Sequence, residues 1–376
     1  MRRNILGGAM VLLVLSLALA ACGDDSSSDS PTPAAEPAES GDAAVTAPED
    51  SPEPGTETAT EPGTEAAPEA TEVIEDTSGR DQTIITVSAP LLDPFFSAWA
   101  KGTEAAGEDL GITSEFTAPA NFDNAVTDFQ RLLEAAMERA DAMVVGDFIP
   151  DAFDPLIKQA IDSGIPVVIV NSGEASAKEL GAIAFVGQDE SFTGLRSGEE
   201  MVAAGVTHGL CLDHVPQNPS TTLRCEGFAA AFADAGLEST TFNLPQTDQN
   251  NPQAIAQALQ GQIASNPGID GIYTLGSFVA ESALQAIEDQ GHSDSITLAT
   301  TDLSTNVLNA IKDGKILFAA DQQPYMQGYY GVLIASQYLE YGLQPGAPIR
   351  TGPMFVTVDN VDAVLKAQES GVRGAG

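Results

Sequence analysis

Ten short apolar runs recur along residues 82–321, and they constrain the fold more than any other feature of this chain. They are "TIITVS", "TSEFTA", "AMVVG", "IPVVIV", "AIAFVG", "GLCLD", "STTFNL", "GIYTL", "ITLAT" and "KILFAAD". The runs are continuous rather than alternating, as expected for strands covered on both faces. Between most of them lie stretches with apolar spacing of three and four. In residues 121–139 the stripe is Val126, Phe129, Leu132 or Leu133, and Met137, with Asn121 or Asp123 placed to cap its start. Repeated β–α units of this kind give parallel sheets with helices on both sides, an α/β architecture. Roughly 290 residues exceed what a single core usually holds, and ten strands suit two sheets of five or six better than one. The division is expected near "FVGQDESFTG", residues 185–194. There a strand gives way to a polar, glycine-containing turn before a helix with Met201 and Val202.

The segment before residue 82 has another character. Arg2 and Arg3 precede the nearly all-apolar stretch Met10–Leu19, which is shorter than the ~20 residues a membrane-spanning helix needs. It ends in "LAAC" and is followed by polar "GDDSSSDS". Residues 1–21 are therefore expected to be a secretory signal. The "LAAC" tetrapeptide resembles the lipobox of bacterial lipoproteins, which implies cleavage before Cys22 and lipid on its sulfur. That would hold the chain to the outer face of the cell membrane. Residues 22–81 are rich in Pro, Glu, Ala, Thr, Ser and Asp, with no aromatic residue and one basic residue, Arg80; "EPGTETAT" is followed by "EPGTEAAP". Such a segment cannot bury enough apolar surface to offset its chain entropy, and a disordered acidic tether is expected.

Seventeen of the 54 acidic residues lie in residues 23–81, leaving 37 acidic against 12 basic residues beyond them, a net charge of −25. That balance argues against nucleic acid, an anionic membrane face or a strongly anionic ligand as partner. With Cys22 set aside, Cys211 and Cys225 remain, even in number on an exported chain, and a disulfide is the natural reading. No metal or other cofactor is expected. His208, His214 and His292 lie outside the expected strand-end positions and have no second ligand at zinc spacing, and no calcium-loop pattern is present. No nucleophile elbow, phosphate loop or HExxH motif appears, so the chain does not read as an enzyme. Asp93 and Asp302 could in principle flank a glycosidic bond, but acceptors for hydroxyl groups are the favoured reading of both.

The order of several motifs carries a family likeness: "DPFFSAWAKGTEAAGEDLG", "SGIPVVIVNSG", "FVGQDESFTG", "LRCEGFAAAF", "LATTDL" and "DQQPYMQGYYGV". In order and spacing they resemble the type I periplasmic binding proteins, in particular the ribose/galactose-type sugar-binding subgroup of ABC importers. The resemblance covers residues 82–366. It implies two doubly wound parallel-sheet lobes joined by three hinge crossovers, with the ligand in the cleft between them. The implied lobes are 82–188 with 324–352, and 189–323 with 353–366, followed by a tail at 367–376. It further implies a monomer that binds a monosaccharide or polyol and docks on ABC permease membrane subunits. A receptor for signalling or chemotaxis would use the same clamp. A transcription regulator on this core is excluded by the exported N-terminus and the lack of a helix-turn-helix.

In parallel sheets, ligands bind outside the carboxyl ends of the strands, so the residues that follow each strand are the candidates. After the first come Asp93, Phe95 and Phe96, a concentration of rings in a chain with only 6% aromatic residues. Ring faces suit the C–H-rich face of a sugar, and the corresponding family positions hold stacking aromatics. Trp99, one helical turn on, reads as packing. Asp147 follows "AMVVG". Asn171 follows "IPVVIV", where ribose binders of the family have Asp-Arg instead of Asn171-Ser172. Gln188 and Asp189, at the first crossover, could serve the hinge, the ligand or a helix cap. Arg224 opens the helix with "CEGF", although a register anchored on "EGF" puts the family's arginine at Thr222. Ser277 stands where the family often has Asn-Asp, here Gly276-Ser277. Asp302 and Gln322 match a family carboxylate and a family glutamine at the second crossover. The family usually has Asn in place of Asp93. These departures put plain ribose in doubt as the ligand.

Overall fold

The computed structural model describes residues 81–373. The expected signal at 1–21, the lipid site at Cys22 and all of the expected tether except Asp81 lie outside the described residues. The chain runs β1 (Thr83–Val87), α1 (Pro94–Leu110), β2 (Thr113–Thr117), α2 (Ala125–Met137), β3 (Ala142–Val145), α3 (Pro150–Asp162), β4 (Val167–Val170), α4 (Glu174–Leu180) and β5 (Ala184–Gly187). It continues through α5 (Glu190–Ala203), β6 (His208–Asp213), α6 (Pro219–Asp234), β7 (Glu238–Asn243), α7 (Pro252–Ser265), β8 (Gly271–Thr274), α8 (Ser277–Asp289), β9 (Thr297–Thr301), α9 (Thr305–Lys312) and β10 (Ala319–Asp321). Then come α10 (Pro324–Tyr341), β11 (Ile349–Arg350), β12 (Met354–Val356) and α11 (Val361–Gln368).

Two six-stranded sheets result, ordered β11-β5-β4-β3-β1-β2 and β12-β10-β9-β8-β6-β7. All pairings are parallel except β10 with β12. The chain leaves the first sheet after β5. It returns after β10, when α10 packs on β1, β3, β4 and β5, and it crosses a last time between β11 and β12. Three crossovers therefore join two lobes of like topology. The continuous apolar runs have their reason here: every residue of β3 and β4 is buried, because helices cover both faces. On one face of the first sheet Phe129, Leu133, Phe153 and Ile157 pack beneath α2 and α3; on the other, Trp99 and Val332 do so beneath α1 and α10. Each such fully buried large side chain contributes about 1.5–3 kcal/mol.

The two lobes reuse one local device. Asp93 before Pro94 caps α1 by accepting the Phe95 N–H at 2.9 Å, and Asn218 before Pro219 caps α6 by accepting the Ser220 N–H at 3.0 Å. A short polar acceptor followed by proline is a strong helix start. In each helix a glycine, Gly102 or Gly227, lets a neighbour cross closely. A Cβ there would stand 2.0 Å from Tyr325 O in α10, or 2.1 Å from Ser191 O in α5. Cys211 of β6 and Cys225 of α6 form a disulfide, with Cα atoms 5.6 Å apart.

Some local expectations need correction. Helix α2 starts at Ala125 with Asn124 at its cap position; Asn121 instead accepts the Asp123 N–H within the preceding loop. Helix α5 starts earlier than expected, at Glu190, because Asp189 caps it through the Phe192 N–H at 3.0 Å. Strands β11 and β12 are two and three residues long, too short to show a run. Near the C-terminus, Arg373 donates to Asp321 Oδ2 at 2.9 Å and so ties the segment after α11 to the second crossover. Among the described residues no helix is long and apolar enough to cross a membrane.

Candidate functional site: the interlobe cleft

The carboxyl ends of both sheets face one cavity of about 710 Å³. Its floor is built at strand ends. Asn171 follows β4 and Asp302 follows β9, equivalent strands in the two sheets, and both adopt left-handed backbone, with φ 69° and 70°. Asn and Asp tolerate that conformation better than other non-glycine residues. Gln322 follows β10 at the second crossover.

These side chains form one buried network. Gln322 Oε1 accepts from Asn171 Nδ2 at 3.0 Å and from Arg224 Nη2 at 2.9 Å. Gln322 Nε2 donates to Asp302 Oδ1 at 2.6 Å. A single amide thus joins the first lobe, the second lobe and the crossover between them. Arg224, in the second turn of α6 rather than at its opening, is only 3% exposed. It is held from behind by Glu190, which accepts from Nε and, at 3.0 Å, from Nη2. Glu190 in turn accepts from Gln188 Nε2 at 2.8 Å. Burial opposes the charge of Arg224, yet Glu190 holds its pKa above the ordinary value, as charge-assisted pairing requires of a buried cation. Thr222 is turned to Asp213 Oδ2 at 3.1 Å and is not in the cavity wall, whereas Arg224 is.

One side of the cavity is aromatic. Phe95 and Phe96 meet edge to face at 5.1 Å, and Phe96 meets Phe148 at 5.6 Å. Trp99 is fully buried behind them against Phe95, Phe96, Phe116 and Phe148, so it backs the wall. The facing side carries His214, Leu275, Gly276 and Phe278. Near the floor, Ser172 Oγ and Asn218 Oδ1 bridge the two lobes at 2.7 Å.

Burial dominates the electrostatics. It pushes the Asp302 carboxyl up to about 8; the Arg224 charge works against that and the Asp93 charge adds to it. Burial also raises Asp93, against the stabilising Phe95 N–H. His214 is pushed down to about 3 by burial and by Arg224, so its imidazole is neutral at physiological pH.

Seven sequence-derived candidates therefore meet in one cavity: Asp93, Phe95, Phe96, Asn171, Arg224, Asp302 and Gln322. Four others do not line it. Asp147 is fully buried beneath Gly173 and beside Asp154; burial and that neighbouring charge push its carboxyl up to about 7. Gln188 is enclosed and turned to Glu190. Asp189 is spent on the α5 cap, and Ser277 is buried in the first position of α8. His214 reverses an expectation, since the histidines were placed away from strand ends. It directly follows β6 and lines the cavity, so the strand-end rule that found Asp302 would have found it. Glu190 left no signal, because its pairing with Arg224 spans 34 residues of sequence. Among the described residues no group of three or more His, Cys, Asp or Glu could hold a metal ion.

A cleft between two like α/β lobes, closed over a polar floor and an aromatic wall, is the build of a clamp-type binding protein. The chain belongs to the periplasmic binding protein domain family, whose model matches residues 84–344. A carbohydrate transporter from Acidothermus cellulolyticus 11B, solved in complex with myo-inositol, is 32% identical to it. That structure superposes with a TM-score of 0.70 over 78% of this chain and 100% of its own. A D-ribose/D-allose-binding protein of Pseudomonas aeruginosa is 24% identical over 265 residues, 68% of this chain and 82% of that protein. An ABC transporter solute-binding protein from Agrobacterium vitis, bound to α-D-tagatopyranose, shares the fold at 23% identity and a TM-score of 0.68 over 76% of this chain and 98% of its own. The Pseudomonas and Agrobacterium relatives are binding proteins and the Acidothermus one is a carbohydrate transporter, and this chain is not an enzyme.

Proposed function

We propose that the protein is an extracytoplasmic, lipid-anchored solute-binding protein of an ABC importer that captures a monosaccharide or polyol by hinge closure. The observation that carries this reading is the Asn171–Gln322–Asp302–Arg224 network beside the Phe95–Phe96 wall. The wall packs on the C–H face of a ring, while Asp93 and Asp302 accept from hydroxyl groups and Arg224 and Asn171 donate to ring or hydroxyl oxygens. Such a division into apolar wall and few directional groups is common in small-ligand sites. The myo-inositol in the Acidothermus relative supports a cyclic polyol. The guest shifts the open–closed equilibrium only through contacts made to both lobes at once, and closure aligns the surfaces that a permease reads. The excess of acidic over basic residues fits a guest that is not anionic, and the "LAAC" motif supports the anchor at Cys22.

Calorimetric titration of the whole chain with myo-inositol, D-ribose, D-glucose and D-xylose tests this. At least one binds, and Asp302→Ala weakens that binding about tenfold or more, about 1.4 kcal/mol, with an unchanged circular dichroism spectrum. Unaltered affinity in the variant discards the pocket assignment.

A further inference from the structure

The cavity is larger than one ring requires. At about 30 Å³ for each water-sized group, 710 Å³ takes roughly two dozen such groups, whereas a hexose or an inositol has about a dozen non-hydrogen atoms. The floor network and the Phe95–Phe96 wall account for the inner half. Beyond them the same cavity continues outward between the β2–α2 loop of the first lobe and the segment before α7 of the second.

The outer half has walls of two kinds. From the first lobe come Phe122, Val126 and Ile149, all half-buried and apolar. From the second come Gln217, Gln246 and Gln249. Gln249 is the telling residue. It sits just after a 3-10 turn in a surface loop, a place where a glutamine ordinarily reaches into water, yet it is 9% exposed. Its Nε2 donates to Gln217 Oε1 at 3.3 Å. An amide carries two donor hydrogens and an acceptor oxygen, so this one bond leaves the Gln217 NH₂, the Gln249 oxygen and one Gln249 hydrogen to be used. These remaining atoms are not sealed off, so they stay open to a guest in the cavity. An apolar face opposite a pair of amides repeats, in neutral form, the build of the inner half.

On the reading of the cleft as a sugar site, we infer that the cavity has a second, outer subsite for another sugar ring, so that the protein accepts a two-ring guest such as a disaccharide or a glycosylated cyclitol. The apolar side receives the C–H face of the outer ring, and Gln217 and Gln249 take its hydroxyl groups. Amides donate and accept alike, which suits a neutral ring. A phosphorylated guest is disfavoured by Asp123 at the rim.

Titration of the whole chain with two sets of probes decides the matter. The one-ring set is myo-inositol, D-ribose, D-glucose and D-xylose; the two-ring set is galactinol, melibiose, maltose and cellobiose. The expected result is that at least one two-ring probe binds about tenfold more tightly than its one-ring counterpart. Gln249→Ala, and separately Gln217→Ala on the exposed side of the pair, then lower the ratio of two-ring to one-ring affinity at least about fivefold. Because it is a ratio that is read, a general loss of stability does not imitate the effect. One-ring binding with no two-ring binding, or an unchanged ratio in both variants, overturns the outer subsite and leaves the sugar reading standing. Binding by neither set overturns both.

Discussion

Asp302, Asp147 and His214 are buried ionisable groups that burial shifts toward their neutral forms, and together they bear on how stability follows pH. The carboxyls of Asp302 and Asp147 sit near 8 and 7 in the folded chain against 3.8 for an ordinary aspartate. Raised acids favour the folded state fully below the unfolded value; that contribution declines from about pH 4 and is gone once the pH has risen through 7 to 8. His214 acts oppositely. Its folded value near 3 lies below the ordinary 6.5, so the unfolded chain takes up the proton first and stability falls as pH drops below about 6.5. Between about pH 4 and 6.5 the two raised carboxyls outweigh the one lowered imidazole, and above that they act alone, so the melting temperature is expected to decline from about pH 5 to 8, most steeply near pH 6.5 to 7, and to level off beyond. Asp147→Asn should flatten the decline below about pH 6.5 and leave that between about 6.5 and 8 in place; scanning calorimetry from pH 5 to 9 at fixed ionic strength reads both. A melting temperature that climbs steadily to pH 9 contradicts these placements. At this scale the sequence was a partial guide. Asp302 and Asn171 were legible because they close apolar strands; His214 falls under the same rule but was passed over. The enclosure of Asp147 and the Glu190 partner of Arg224 were not, since burial and pairing at long separation leave no mark on local spacing.

At the scale of elements, α6 shows how position and covalent chemistry combine. Its second turn presents Arg224 to the cleft floor, and the next residue, Cys225, fastens it to β6. Closing a loop with a sequence separation of 14 stabilises by about 3 kcal/mol in the chain-entropy account. Reduction, or Cys225→Ser together with Cys211→Ser, should lower the unfolding free energy by about that amount in urea titrations. It should also weaken capture of whichever one-ring sugar binds, because the Arg224 backbone loses its tie. Equal midpoints for the oxidised and reduced chains would count against a disulfide that bears on stability. Elements themselves were the most legible level. Strands β3 and β4 announce themselves because each of their residues must be apolar when both faces are covered. Strands β11 and β12 stay silent because a pair or trio of residues cannot establish a pattern. The start of α2 was misplaced by a few positions, since Asn121, Asp123 and Asn124 are all competent caps and the loop bond from Asp123 to Asn121 removes one of them.

For the whole molecule, the decisive feature is that all three crossovers are fastened at Thr351. Its N–H donates to Gly187 O at 3.0 Å in the first, and its hydroxyl donates to Gln322 O at 2.9 Å in the second. The fully buried Gln327 adds bonds from Nε2 to Thr351 Oγ1 and to Gln322 O, each at 3.1 Å. Thr351→Val keeps the shape, removes the hydroxyl and leaves Gln322 O and Gln327 Nε2 with only each other, at a cost of about 0.5–1.5 kcal/mol for each bond lost. The expected outcome is a lower melting temperature and a wider distribution of interlobe distances in double-label fluorescence, although Thr351 does not line the cleft. An unchanged distance distribution would show that the lacing does not restrain the lobes. Three chain segments running side by side and pinned at one point resist shear and twist while leaving a single bending coordinate soft. If the proposed closure holds, a docking partner would need to sense only one variable, the angle between the two halves, to know whether the clamp is loaded.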